Sequence, residues 1–160
     1  MAAVDYFLKI DGIPGESQDS KHKGEIELES FSWGAVQTGV HGAGGGAGAG
    51  KVQMQDFQFT TQMSKASPAL FLACATGQHM KEARLAGVKA GAMQQEFLTW
   101  KFSDVLVSGY QTAGSEGDIV MDSVSLTFSK VKVEYKAQKA DGSLDAAVSA
   151  GFDVAANKKL

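Results

Sequence analysis

Few residues in this chain have the type and spacing that chemistry needs. The clearest candidate is GGAGAGKV at 45–52, where Gly45 and the Gly50–Lys51 pair stand at the spacing of a phosphate-binding loop. That loop needs Ser or Thr after the lysine to place a hydroxyl on magnesium. Here the next residue is Val52. The loop must also open a helix whose N-terminus faces the phosphate. VQMQDFQF reads instead as a strand, so a flexible connection between two strands is the better reading.

Histidine and cysteine offer less. His22, His41 and His79 have no second ligand at i, i+4, and Cys74 and His79 lie five apart with no third ligand near them. A metal site needs three or four converging donors. A thiol on an apolar helix face is usually inert as a nucleophile. Glu25, Glu27 and Glu29 alternate along one run, which suits a solvated strand edge or an intersubunit charge row better than hydrolysis. DGSLD at 141–145 begins like a calcium loop but lacks its sixth-position glycine and twelfth-position glutamate. Aromatics interleaved with polar residues, as in FSW and FLTWKF, could stack nucleic-acid bases. The charge balance argues against that: 15 basic residues stand against 18 acidic, a net charge of −3. The expectation is therefore no enzyme, no metal, no cofactor and no nucleic-acid partner.

The elements that would position any site are mostly strands. VDYFLKI at 4–10 is a first strand, and the turn-rich DGIPGESQDS at 11–20 should be an exposed loop. EIELESFSWGAVQT at 25–38 alternates, but its phase slips: Ile26 and Leu28 share one parity, Phe31 and Trp33 the other. The same slip separates Val52 and Met54 from Phe57 and Phe59. It also separates Val124, Leu126 and Phe128 from Val131, Val133 and Tyr135. A one-residue slip turns a strand inside out, so each run must contain a bulge or bend. Residues 82–90, 94–101 and 102–111 read as further strands, with Leu98, Trp100, Phe102, Leu106 and Tyr110 in phase and Asp104 as a break. SPALFLACATG at 67–77 predicts the one helix. Ser67 is its expected N-cap, Pro68 its first residue and Gly77 its stop, with Leu70, Phe71 and Cys74 facing the sheet. Residues 112–118 and 139–145 are turns, and the tail holds one closing strand.

The 160 residues suit a single domain spanning 1–160, large enough to bury a core without disulfides. A lone cysteine fits a reducing compartment. The N-terminus lacks the pattern of a secretory leader. No run reaches the roughly 18 apolar residues of a membrane span. Seven of the nineteen glycines gather between Gly39 and Gly50. The fold class expected is mostly β: a compact barrel of bent antiparallel strands flanked by one α-helix.

The chain also resembles the haemolysin-coregulated protein family, which builds the inner tube of type VI secretion systems. The likeness is carried by FLKIDGIPGES at 7–17, His22, EIELESFSWG at 25–34 and the glycine-rich GAGGGAGAGKV. It continues through SPALFLACATGQH, SDVLVSGYQTAG and VSLTFSKVKVEYKAQKADGS at 124–143. Phe152 stands where the family often carries Trp, and the glycine-rich loop varies in length among members. The resemblance implies six copies in a ring, rings stacked into a hollow tube, a contractile sheath outside, a spike protein at the tip and effector proteins in the lumen. It implies a protein cytoplasmic before assembly and exported without a cleaved leader. It places strand 30–33 near the lumen. Alternation then makes Ser32 and Ser30 the cargo-facing residues, opposite Phe31 and Trp33. Gly39, His41, Gly44, Gly45, Gly46, Gly48 and Gly50 are expected in a loop between subunits. The alternatives are a tail-tube protein of another contractile injection machine, or a nucleotide-binding protein using the glycine loop.

Overall fold

A computed structural model describes residues 4–39, 50–90 and 94–160. The chain runs β1 (Val4–Ile10), β2 (Ile26–Leu28), β3 (Ser30–Ser32), β4 (Ala35–Gln37), β5 (Val52–Met54), β6 (Phe57–Gln62) and α1 (Ala66–Thr76). It continues β7 (His79–Lys89), β8 (Gln95–Ala113), β9 (Met121–Thr127), β10 (Lys130–Tyr135), β11 (Val148–Asp153) and β12 (Lys158–Lys159). All strand pairings are antiparallel.

Each phase slip becomes a break. The run 25–38 is three strands, not one: the chain bends at Glu29, between the buried Ile26–Leu28 pair and the strand carrying Phe31. The run 52–61 divides at Gln55–Asp56, and 120–135 divides at Phe128–Ser129. By contrast, the two strands expected over 94–111 are one 19-residue strand, β8. Its phase changes twice. Asp104 adopts φ +54°, the left-handed region, so Phe102 and then Val105 and Val107 point inward while Leu106 does not. A register shift against β9 between Val107 and Gly109 restores the first parity. Such irregularities bend a strand and raise its twist.

β8 organises the sheet. Its N-terminal half lies between β7 and β10, and its C-terminal half pairs β9, which pairs β6 and through it β3. The other direction runs β7, β1, β2. No ladder joins β2 to β6, so in hydrogen-bond terms the expected barrel is a sheet curled upon itself. The gap is spanned by the bend at Glu29, whose N–H donates to the Thr60 carbonyl (2.9 Å), and by Thr61 Oγ1 donating to the Glu27 carbonyl (2.7 Å). Inside lies one core of Leu8, Ile26, Phe57, Phe59, Leu70, Leu85, Phe102, Val105 and Leu126. Phe31, Tyr6 and Trp100 pack at its margin, with Phe31 and Trp100 centroids 5.4 Å apart. Full burial of one such side chain is worth roughly 1.5–3 kcal/mol.

The helix begins earlier than expected. Lys65 is its N-cap and makes no side-chain cap bond; Ser67 is buried inside the first turn. Pro68 is thus the third helical residue. Gly77 ends the helix in the left-handed region (φ +67°), its N–H on the Ala73 carbonyl. Ala66, Ser67, Leu70 and Ala73 face the core, Cys74 is half-buried, and Phe71 stands 58% exposed rather than packed on the sheet. The 11–20 loop is not wholly exposed either: Ile13, Gly15 and Ser17 are buried. Gly15 passes so close to β2 that a Cβ there would lie 2.4 Å from the Glu25 carbonyl oxygen. His22 follows, buried and stacked on Phe7 at 4.7 Å, with Nδ1 3.0 Å from Glu25.

Candidate functional site

Ser30 and Ser32 share the outer face of β3, while Phe31 between them turns to the core margin. Register carries this face across four strands. Ser30 pairs with Thr60, Thr60 with Ser123, and Ser123 with Gln111. One step along, Ser32 pairs with Gln58, Gln58 with Ser125, and Ser125 with Gly109. The result is two parallel rows of small or uncharged polar residues running across β3-β6-β9-β8, with no ionisable side chain in either row. A shallow depression of about 430 Å3 lies over them. The hydroxyls bond one another, Ser30 Oγ and Thr60 Oγ1 at 2.6 Å and Ser125 Oγ and Ser108 Oγ at 2.8 Å, and Ser108 Oγ also donates to the Asp56 carboxylate at the rim (2.8 Å). Mutual pairing leaves a wettable surface with little unmet bonding to hold a ligand.

Beneath this face sits a group that the pattern of residue types did not flag. Asp122 is fully buried, and its carboxylate accepts from the hydroxyls of Ser67 on α1 and Tyr110 on β8. Burial, then the Asp122 charge, raises the Tyr110 phenol above its usual 10.0. The three side chains tie the helix to the back of the polar face. The sequence signal was the parity of Asp122, in phase with the inward Val124 and Leu126.

The remaining candidates scatter. Cys74 and His79 do not act together: His79 Nδ1 bonds Asp104 Oδ1 at 2.9 Å, and both side chains are well exposed, so the pair contributes little. Among the described residues no three metal-capable side chains converge. Lys51 leads into strand β5, not into a helix. Of the glycine-rich loop, Gly39 is exposed, and Gly50 lies against Thr38, where a Cβ would come within 2.7 Å of its hydroxyl. His41, Gly44, Gly45, Gly46 and Gly48 lie outside the described residues.

The candidate face is therefore polar, with a curled sheet and one helix behind it. Residues 7–135 match the profile of the family described as type VI secretion system effector, Hcp. The chain belongs to the Hcp family. It is 44% identical over 158 residues to Protein hcp1 of Pseudomonas aeruginosa, covering 97% of this chain and 98% of that one. Among solved structures it is similar to Hcp1 from Salmonella typhimurium, at 37% identity and TM-score 0.79 over the whole of both chains. A structure described as a type six secretion system protein superposes at TM-score 0.93 and 31% identity, covering 99% of this chain and 100% of that one. As an Hcp-family member the chain is a structural subunit of a type VI secretion tube. Proteins of the Hcp family form rings and are secreted. Among the described residues no helix is long and apolar enough to cross a membrane.

Proposed function

We propose that six copies of this chain close into a ring and that the rings stack into a hollow tube whose lumen is lined by β3-β6-β9-β8. The two uncharged polar rows support this reading most directly. A passage for many different cargo proteins needs a wet wall that touches each weakly. A buried or semi-buried charge would hold some cargoes and reject others. Ser32 and Ser30 sit at the β3 edge of that wall and contact effectors there. Among the described residues, β3 and the C-terminal half of β8 each pair on one side only, so either edge is open to a neighbour's strand.

In this reading the whole chain, 1–160, serves as one tube domain without catalytic work. A contractile sheath surrounds the tube, a spike protein caps it, and export needs no cleaved leader. The loop carrying Gly39, His41, Gly44, Gly45, Gly46, Gly48 and Gly50 lies between subunits or rings, where glycine lets backbones approach closely. Negative-stain microscopy of the purified protein tests the assembly. Six-membered rings are expected, and a stable monomer at high concentration overturns the reading. Ser32→Gln tests the lumen: rings should persist while effector retention in a pull-down changes by severalfold. Unchanged retention of every effector tried removes Ser32 from the wall.

A further inference from the structure

A ring built from one chain needs two different patches per subunit, each complementary to the other. The described residues carry such a pair. One is a ridge: Phe71 and Leu72 stand side by side on the outer face of α1, 58% and 57% exposed among the described residues, with the Phe71 ring centroid 6.2 Å from that of Tyr110. The other is a groove of about 420 Å3 between β5 and the β10–β11 pair, walled almost wholly by apolar atoms of Trp33, Met54, Val133, Ala150 and Phe152. It exists because the sheet divides at Phe128–Ser129: β9 follows β6 and β3, β10 follows β11, and the seam between the two branches stays open.

We propose that the Phe71–Leu72 ridge of one subunit seats in this groove on the next. The inference rests on the ring reading and says which surfaces close it. Position supports it. Phe71 touches Tyr110, so α1 lies at the β8 end of the strand order β3-β6-β9-β8. Trp33 directly follows β3, so the groove lies at the other end. Each patch thus adjoins one of the two open strand edges. A head-to-tail contact joining those edges carries the ridge toward the groove. The pairing also removes two exposed apolar side chains from water, which a free monomer would otherwise leave as an aggregation hazard.

Directed cross-linking tests this in the full chain. In a Cys74→Ser background, Leu72→Cys and Ala150→Cys, both at exposed positions, are combined in one chain and treated with a short bismaleimide. A ladder of covalent oligomers ending at the closed ring is expected. Mixing the two single-cysteine proteins should stop at covalent dimers. As a second arm, Phe71→Asp with Leu72→Asp should abolish rings and leave a folded monomer by sedimentation and circular dichroism. If the unmodified protein forms rings but the double-cysteine chain gives no ladder and the aspartate variant still forms rings, the ridge-and-groove contact is wrong while the ring reading stands. If the unmodified protein forms no rings, both fall. Binding of a different protein to Phe71 and Leu72 on intact rings would also overturn the inference.

Discussion

Replacing Ser67 by alanine should loosen the helix from the sheet, and the structure sets the size of the effect. Ser67 is 1% exposed; its hydroxyl donates to the buried carboxylate of Asp122 and accepts the Ser64 N–H at 3.0 Å. A hydrogen bond to a charged group is worth about 1.5–3 kcal/mol. The Ser64 amide is only half-buried and can turn to water, so its loss adds about 0.5–1 kcal/mol. The sum is a loss of roughly 2–4 kcal/mol, near the top of the range for single substitutions. With a urea slope of about 2 kcal/mol per M, the unfolding midpoint should fall by about 1–2 M at one fixed protein concentration. Trp100 and Trp33 pack against the core and supply the fluorescence signal. Tyr110→Phe alone should cost about 1 kcal/mol, because Tyr110 is half-buried. The double variant should lose more than the sum, since Asp122 then keeps neither side-chain donor. A midpoint shift below about 0.3 M for Ser67→Ala, or strict additivity of the pair, would refute the reasoning.

Tyr110 also predicts a pH effect. Its folded pKa is raised above 10.0, mainly by burial and then by Asp122, so its contribution to stability is complete below pH 10.0 and is lost as pH climbs through the raised value. Thermal melts should show this alkaline decline in the parent protein and a weaker one in Tyr110→Phe. Gly15→Ala must push backbone against backbone at Glu25 and should cost about 1–3 kcal/mol in urea unfolding; a smaller cost would mean the 14–25 segment moves freely. Asp104→Val places a β-branched residue at φ +54° and should destabilise by about 1–2 kcal/mol, whereas Asp104→Asn should be nearly neutral by the same measurement.

The strands were largely legible because burial leaves a parity trace. Each slip in that trace marked a true break, at Glu29, at Gln55–Asp56 and at Phe128–Ser129. Asp104 showed as a polar interruption, but only the backbone reveals its positive φ and the consequent outward turn of Leu106. The helix and its buried Leu70 were legible, but the exposure of Phe71 was not. Leu70, Phe71 and Leu72 are consecutive and apolar, so three directions on the helix look equally suited to a core. Ser67 looked like a cap because capping and buried bonding use the same hydroxyl, and its acceptor lies 55 residues away in sequence. The polar rows were visible on β3 alone. Their extension through Thr60, Ser123 and Gln111 depends on register between strands far apart in the chain, which a single sequence does not state.

The continuity of β8 has a mechanical consequence. Nineteen residues of one strand run from between β7 and β10 into the polar face without a connecting loop. The chain therefore has no hinge between those two regions, and neither can tilt without the other. Force applied along β8 would load its ladders to β7, β9 and β10 in shear, so that many bonds must fail together. Pulling across the strands would instead open them one at a time. A subunit pushed along its β8 axis should behave as a stiff strut, with its first yielding points between Glu96 and Leu98, opposite Gly87 and Val88, and between Val107 and Gly109, where the ladders are already irregular.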